Sequence, residues 1–214
     1  MGGVTASHNR GGQYLRKRAV PVNPNTTQQA AIRGYMANLS NRWVNVLTSA
    51  QRAAWDAYAL AVPIPDALGA PRNIGGIAMY NRSNVSRIQA SLTTIDAAPS
   101  VFDLGGFTAP GITSITASTG IMIITFTNTD SWATASGGAL LVYASRGQNP
   151  SINGFKGPYR FAGKVAGAGT APTSPQNITL PFPVAATQRV FLQFRATQSD
   201  ARLSGVFQTF LAAV

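Results

Sequence analysis

The stretch 120-GIMIITFTNT-129 alternates two sets of side chains along the chain: Met122, Ile124 and Phe126 against Ile121, Ile123 and Thr125. A period of two residues is typical of a β-strand, because successive side chains of a strand point to opposite faces. The same period is predicted for 138-GALLVYAS-145 and 189-RVFLQFRAT-197. These stretches decide the fold of the C-terminal half, which we expect to be built from strands.

Seven strands are predicted in the C-terminal half, over residues 112–117, 121–127, 139–145, 158–165, 177–182, 189–197 and 205–212. Seven short strands separated by turn signals are typical of an immunoglobulin-like or fibronectin type III-like β-sandwich. The chain has no cysteine, and we identify no pattern of core tryptophan. The prediction of a β-sandwich over 112–214 therefore rests on the number and spacing of the strands.

The region before the strands has a helical period instead. In 23-NPNTTQQAAIRGYMANLSNRWVNVL-47, Thr26 and Gln29 have capping-box spacing, and apolar residues follow at intervals of three or four. Thr48 and Gln51 form a second such pair and open a second helix, which Pro63 ends. On these helices we expect the following core residues: Ile32, Met36, Leu39, Trp43, Val46, Trp55, Tyr58 and Val62.

A third helix is predicted within 77–92, with Ile77, Tyr80, Asn84, Ile88 and Leu92 in register. The chain is therefore expected to be an α+β, multidomain protein with an extended N-terminal arm. Its predicted parts are an extended basic arm (1–24), a helical unit of about three helices (25–92), a linker (93–111) and the β-sandwich (112–214).

The charge is strongly basic and unevenly spread. Seventeen Lys and Arg residues stand against six Asp and no Glu, for a net charge of +11. Residues 1–95 carry +8 and residues 96–214 carry +3. The electrostatic field of such a positive charge attracts acidic partners of several kinds. The charge therefore gives information about partners and not about the fold.

The arm is the strongest candidate for a binding segment, and the stretch 11-GGQYLRKRAVPVNPNTTQQ-29 contains no acidic residue. Prolines favour an extended backbone, and alternating apolar residues provide anchors for adding a strand to a partner's sheet. We expect the arm to dock onto protein through Tyr14, Leu15, Arg16, Lys17, Arg18, Val20 and Val22.

Catalysis is not expected. The chain has one histidine, His8, and neither glutamate nor cysteine, whereas acid–base and nucleophilic chemistry rely on such groups. The six Asp residues lie at least seven positions apart, without the dense spacing of a hard-cation loop. We therefore predict no catalytic residue, no cofactor and no metal site, although a close approach of two carboxylates in the fold would reopen the question.

Two segments carry a family resemblance: 16-RKRAVPVNPNTTQQAAIRGYMANLSNRWVNVLTSAQRAAWDAYA-59 and 76-GIAMYNRSNVSRI-88. They resemble a group of poorly characterised proteins of tailed phages and prophages. That group shares a basic N-terminus, N-P-x-[ST]-x-x-Q, L-T-x-x-Q-R-x-x-W and a later G-x-x-x-[YF]-x-[RK]-x-N helix. The resemblance covers about residues 10–92 and implies a virion structural protein, with no functional site to transfer.

The function expected from these observations is a structural virion protein of a phage-like particle, most simply a capsid-associated minor or decoration protein. Its partners would be other virion proteins and copies of itself, and its location the virion, after synthesis in the host cytoplasm. No membrane partner is expected, because no apolar run approaches the length of a membrane helix.

Three alternatives remain open at this point. The chain is a neck or tail component, or it is a sequence-independent DNA-binding or packaging protein. DNA binding requires the arm to form one continuous face with Arg33, Arg42, Arg52, Arg82 and Arg87. A third alternative is that aromatic residues of the sandwich form a stacking surface for glycans: Tyr143, Phe155, Tyr159 and Phe161.

Overall fold

The computed structural model describes residues 3–9, 11–18, 23, 25–66 and 68–214. These residues form a mixed α and β structure with four helices and several antiparallel sheets, and the C-terminal half is mostly β. The chain divides into two units, residues 1–34 and 35–214. Each unit is described by itself, and the four-part division expected from the sequence stays a prediction.

The first unit contains a β-hairpin, where the sequence predicts an extended arm without strand periodicity. Strand β1 (Val4–Asn9) pairs antiparallel with strand β2 (Gly12–Lys17), so that Val4 lies opposite Lys17 and Asn9 opposite Gly12. Gly12 has a φ of +109°, which a residue with a side chain rarely adopts. The expectation of an arm extended throughout is therefore wrong over residues 4–17, because a glycine turn lets the two halves pair with each other.

Helix α1 (Thr27–Asn45) begins at the predicted capping box. The Gln29 amide donates to Thr26 Oγ1 at 3.3 Å, and the Thr26 amide donates to Gln29 Oε1 at 3.0 Å. Such a reciprocal pair satisfies two amides that the first helical turn would leave without partners. The predicted start of the first helix is confirmed.

The second unit continues with helix α2 (Ser49–Ala61), a short pair of strands, β3 (Ile64–Pro65) and β4 (Pro71–Arg72), and helix α3 (Gly76–Gln89). The capping box of Thr48 and Gln51 is formed as predicted. At the start of α3 the Gly76 amide donates to Asp56 Oδ1 at 3.0 Å. A Cβ atom at Gly76 would lie 2.7 Å from the backbone nitrogen of Asp56, so glycine lets the two helices approach closely.

The helical core contains most of the apolar residues predicted for it. Trp55, Tyr58 and Leu39 are fully buried, and the Trp55 ring packs edge-on against Tyr80. The predicted stripe on α1 is only partly right, because Met36 and Val46 are exposed. The core is completed by residues of α2, α3 and the turn before α2: Leu47, Ala59, Val62 and Met79.

The segment predicted as a linker packs against the helices. The Trp55 ring nitrogen donates to the main-chain oxygen of Asp96 at 2.9 Å, and the Tyr58 hydroxyl donates to that of Asp103 at 2.6 Å. Ile95 and Leu104 pack against the helical core. Hydrogen bonds and apolar contacts thus fix this segment on the helical surface.

All seven predicted C-terminal strands are present within a few residues of their expected bounds: β5 (Gly111–Thr116), β6 (Ile121–Thr125), β7 (Ala139–Ser145), β8 (Tyr159–Ala166), β9 (Gln176–Thr179), β10 (Arg189–Thr197) and β11 (Phe207–Ala212). Three of them form a sheet in the order β5-β6-β9, and four form a sheet in the order β11-β10-β7-β8. All pairings in both sheets are antiparallel.

One hydrophobic core lies between these two sheets. The predicted alternation of β6 is confirmed, because Met122 and Ile124 are fully buried and face Leu140, Val142 and other apolar residues of the larger sheet. A short helix that the sequence did not predict, α4 (Ser131–Thr134), adds Trp132 to this core with no exposed surface. Trp132 is therefore a core tryptophan that no sequence pattern identified.

Strand β7 is buried on both faces, not on one. Leu140 and Val142 face the core between the sheets, while Ala139 and Leu141 belong to a second cluster with Ala90, which directly follows α3. Strands buried on both faces have nearly continuous apolar sequences. The run 139-ALLV-142 fits that description better than the half-buried alternation we predict.

Candidate docking surface

The hairpin presents two different faces, because side chains alternate along paired strands. One face carries Val4, Ala6 and Leu15 together with Lys17, since Ala6 lies opposite Leu15 and Val4 opposite Lys17. The other face carries Thr5, Ser7, Tyr14 and Arg16. Consequently the adjacent basic residues Arg16 and Lys17 point to opposite faces.

The apolar residues of the hairpin are open to solvent. Leu15 is 75% exposed, Val4 66% and Tyr14 41%. A two-stranded hairpin is at best marginally stable in water unless a face packs on something else. Within the described residues of the first unit no side chain is buried. The apolar face is therefore a surface suited to a partner.

The hairpin is also purely basic. Residues 1–34 contain five arginine and lysine residues and no acidic residue. Arg16, Lys17 and Arg18 are all exposed, and none of them belongs to an ion pair within the described part of the chain. These three cations are available to carboxylates or phosphates of a partner.

Five of the seven predicted arm residues lie on or directly after β2: Tyr14, Leu15, Arg16, Lys17 and Arg18. The Arg18 amide donates to the Gly3 oxygen at 2.8 Å and extends the pairing by one step. Val20 and Val22, the other two predicted anchors, lie outside the described residues. Among the described residues neither β1 nor β2 pairs with a third strand, so both outer edges can accept a strand by β-augmentation.

Arg33 of α1 binds two asparagines that precede the helix, Asn23 and Asn25. Its guanidinium donates to Asn25 Oδ1 at 2.8 Å and to Asn23 Oδ1 at 3.0 Å. Asn25 has a φ of +45°, a conformation that asparagine tolerates better than most residues. Arg33 therefore serves the local structure of this unit.

The arginines required for a continuous DNA face are engaged elsewhere. Arg42 forms a two-point pair with Asp96, with N–O distances of 2.8 and 2.6 Å. Arg52 donates to the Leu47 oxygen at 2.8 Å, near the end of α1. Arg87 is only 2% exposed, and burial lowers its pKa. With Arg82 also largely buried and bonded to main-chain oxygens, these residues do not present a common phosphate-binding face.

Two carboxylates share one cation, Arg202, which the sequence did not predict. Arg202 donates to Asp103 Oδ1 at 2.6 Å and to Asp200 Oδ2 at 2.8 Å. The hydrogen bond from Arg202 lowers the pKa of Asp103, whereas a general acid at neutral pH needs a raised pKa. This arrangement is an ion-pair network that fixes two loops.

No group of three or more metal-binding side chains occurs in the described residues.

Three of the four aromatic residues proposed for glycans lie on one face of the larger sheet, where Tyr143 lies opposite Phe161 and Ser145 lies opposite Tyr159. The Tyr143 and Phe161 rings pack against each other at 5.5 Å, and the Tyr143 hydroxyl donates to Gln89 Oε1. Phe155 instead packs against Phe191 and Phe210. Contacts with other rings thus account for the packing of Tyr143, Phe161 and Phe155, and the glycan alternative stays a hypothesis.

Two basic residues that the sequence did not single out lie over one ring. The guanidinium carbons of Arg146 and Arg160 lie 5.2 and 4.9 Å from the ring centre of Phe182, and both arginines are exposed. No sequence pattern could have indicated this cluster, because its members come from three separate segments of the C-terminal half.

Comparison of the chain with protein-family models, with curated proteins and with solved structures gives no match. Among the described residues, no helix combines the length and the apolar character that crossing a membrane requires.

Proposed function

We propose that the chain is a structural protein of a phage-like particle, a capsid-associated minor or decoration protein that docks through its N-terminal unit. In this proposal its partners are other virion proteins and copies of itself, and it is located in the virion. The observation that carries the proposal is the hairpin, whose apolar face is exposed and whose charge is uncompensated. A surface of this kind is suited to a protein partner with apolar and acidic groups.

The division of charge between the faces favours protein over nucleic acid as the partner. Arg16 and Lys17 point to opposite sides of the hairpin, and Lys17 shares its side with Val4 and Leu15. A phosphate backbone has no apolar surface to match Leu15, whereas a protein has both carboxylates and apolar pockets. The resemblance of residues 10–92 to tailed-phage proteins agrees with this choice.

For the two C-terminal sheets we propose a fibronectin type III-like β-sandwich. In the constant-type immunoglobulin order, the first sheet holds four strands and the second three. Here the sheet that contains the first two strands, β5 and β6, has only three strands. The second sheet has four, because β8 pairs with β7 and does not join β5, β6 and β9. Modules of this type present loops and strand edges as binding surfaces, which suits a role in an assembly.

A sequence-independent DNA-binding role is the second candidate, and the Arg146, Phe182 and Arg160 cluster favours it. A half-buried ring with two exposed cations can stack a base and contact phosphates. This candidate role predicts that the affinity for DNA falls steeply as the salt concentration rises. The binding constant should fall by about 0.9 log units per tenfold increase in salt for each phosphate neutralised.

The two candidates are separated by a sedimentation experiment with particles assembled without the chain. The full chain is expected to cosediment with them. The double variant Val4→Asp and Leu15→Asp should lose at least tenfold in binding, because it places charge on the apolar face. Deletion of residues 1–24 should abolish binding and leave the second unit folded by circular dichroism. Normal incorporation of both variants would exclude docking through the hairpin.

A matched control uses two exposed valines outside the hairpin. Val44→Asp with Val101→Asp introduces the same charge at positions that are 66% and 46% exposed and should leave cosedimentation unchanged. For DNA, the triple variant Arg16→Ala, Lys17→Ala, Arg18→Ala is compared with Arg146→Ala, Arg160→Ala in an electrophoretic titration. If either variant loses DNA binding at physiological salt and still binds particles, the second candidate is favoured.

A further inference from the structure

A groove of about 480 Å³ lies on the second unit where helices α1 and α3 meet strand β10. Met36 of α1 lies at one side, Ile77 and Val85 of α3 provide further apolar surface, and Arg82 and Arg195 contribute charge. Met36 and Ile77 are 40% and 39% exposed. The groove is thus an open, largely apolar surface with two guanidinium groups.

The two arginines converge on one main-chain oxygen. Arg82 donates to the Ser204 oxygen at 3.0 Å and to the Leu203 oxygen at 2.8 Å. Arg195 donates to the same Ser204 oxygen at 3.1 and 3.2 Å. The two cations therefore lie side by side, and their repulsion is one of the causes that lower the pKa of Arg82, after burial.

No carboxylate of the chain compensates these charges. All six aspartates lie within the described residues, and none of them forms an ion pair with Arg82 or Arg195. Burial lowers the pKa of Arg82 to about 10, so the group is still protonated at neutral pH. Two partly buried cations that share a neutral acceptor are strongly favoured partners for an anion.

Asn81, on the same wall of the groove, provides an independent observation. Its Oδ1 atom is buried and accepts no hydrogen bond from the described residues. By contrast, the neighbouring Asn84 is satisfied, because it donates to the Tyr80 and Ile95 oxygens and accepts from the Ile95 amide. A buried acceptor without a donor destabilises the fold, so the wall of the groove beside Arg82 holds a polar atom that its own packing leaves unsatisfied.

We propose that this groove binds a segment of another protein in which a carboxylate lies next to an aliphatic side chain. The carboxylate would pair with Arg82 and Arg195, and the aliphatic side chain would pack on Met36, Ile77 and Val85. The inference goes beyond docking through the hairpin and does not depend on it, since every residue of the groove lies in the second unit.

The shape and chemistry of the groove select this occupant. Small-molecule sites are mostly enclosed and bury most of their ligand, whereas this groove is open along its length. A nucleic acid would match the two cations but leave the apolar wall without a partner. A peptide with an acidic and an aliphatic residue satisfies both kinds of surface.

The test uses the full ¹⁵N-labelled chain and two small probes that differ only in charge. N-acetyl-L-leucine has the carboxylate, the isobutyl group and an amide, while N-acetyl-L-leucinamide lacks the charge. We expect saturable amide shifts at Ala78, Asn81 and Val85 with a millimolar Kd for the acid, as is usual for ligands of this size. Binding of the amide should be at least fivefold weaker. Equal binding of both probes, or shifts confined to other regions, would overturn the proposal.

Variants locate the site without disturbing the buried arginines. Ile77→Glu places a carboxylate at the exposed wall of the groove and should weaken N-acetyl-L-leucine binding at least tenfold. Val44→Glu makes the same change at an exposed helix position outside the groove and should have no effect. Unchanged binding of Ile77→Glu contradicts the assignment.

Two further outcomes identify a different occupant. Inorganic phosphate that competes with N-acetyl-L-leucine at equal concentration would point to a polyanion and overturn the carboxylate assignment. Sedimentation velocity measures whether the chain associates with itself. If it does, and if Ile77→Glu abolishes this association, a second copy fills the groove and the proposal of another protein as partner is overturned.

Discussion

The Arg87 guanidinium donates a hydrogen bond to the main-chain oxygen of Gln198 at 2.9 Å, although the two residues are far apart in the sequence. The same side chain also donates to the main-chain oxygens of Thr93 and Gly137 and to Thr197 Oγ1. Arg87 thereby joins helix α3 to Thr93 and to residues at the ends of strands β7 and β10. It is a structural residue of the second unit and not a free cation.

Replacing Arg87 by leucine is expected to destabilise the second unit by about 3 kcal/mol, because several buried oxygens lose their donor at once. Urea denaturation monitored by tryptophan fluorescence measures the loss. Arg72→Leu is the matched control, since Arg72 is exposed on β4, and it should stay within about 0.5 kcal/mol of the unmodified chain. If the two variants were equally stable, the bridging role of Arg87 would be wrong.

Acid sensitivity is expected from the Arg42–Asp96 pair. The hydrogen bonds from Arg42 and Tyr80 hold the pKa of Asp96 below its ordinary value of 3.8. A lowered pKa in the folded state contributes stability above the unfolded-state value, and that stability is lost as the pH falls through the folded-state value. Asp96→Asn should therefore flatten the fall in unfolding free energy below about pH 4.

The partner variant Arg42→Gln checks the origin of this acid sensitivity. It should flatten the same part of the pH profile, and the double variant with Asp96→Asn should add little to either single change, because both remove one interaction. Additive effects of the two substitutions on the free energy of unfolding would mean that the residues act independently.

Alkaline sensitivity is expected from Tyr58, whose pKa burial raises to about 12 from an ordinary value of 10.0. A raised pKa in the folded state contributes stability below the unfolded-state value, and that stability is lost as the pH rises through the folded-state value. At neutral pH, Tyr58→Phe should cost about 1 kcal/mol through loss of the hydrogen bond to Asp103. This difference should shrink between pH 10 and 12, measured by urea denaturation across that range; a constant difference would contradict it.

Two glycine substitutions are expected to act in opposite directions. Gly76→Ala should destabilise the chain by about 2 kcal/mol, because the new methyl group overlaps Asp56 and must push α2 and α3 apart. Gly34→Ala should stabilise it by about 0.5–1 kcal/mol, because Gly34 is an exposed position within α1 with open space at its Cβ. Thermal unfolding of both variants measures the two changes in stability. A stabilising effect of Gly76→Ala would refute the close packing of α2 and α3.

The local elements could be predicted because their signals lie within a few residues of each other. The pair Thr48 and Gln51 starts α2 through a side chain and an amide three positions apart. The alternation of Met122 and Ile124 places β6 in the core. The hairpin was missed because each of its strands carries only a few apolar side chains, and the Gly11–Gly12 turn alone does not specify pairing.

The candidate sites could be predicted only in part. Tyr14, Leu15 and Arg16 were identified as binding residues, and their shared strand is a structural finding, while their role stays a proposal. Arg82 and Arg195 were not identified as neighbours, because no local pattern relates a helix residue to a strand residue so far along the chain. Their pairing depends on how α3 packs against the larger sheet.

The sequence by itself determined the starts of the first three helices, the seven C-terminal strands and the excess of positive charge, since capping, alternation and composition are local properties. Only the tertiary structure decided which charges face solvent. Arg16 and Arg87 are the same residue type, yet one lies on an exposed hairpin and the other is buried among main-chain oxygens. The difference arises because burial depends on contacts between distant segments, and those contacts determine whether a cation is free to bind a partner.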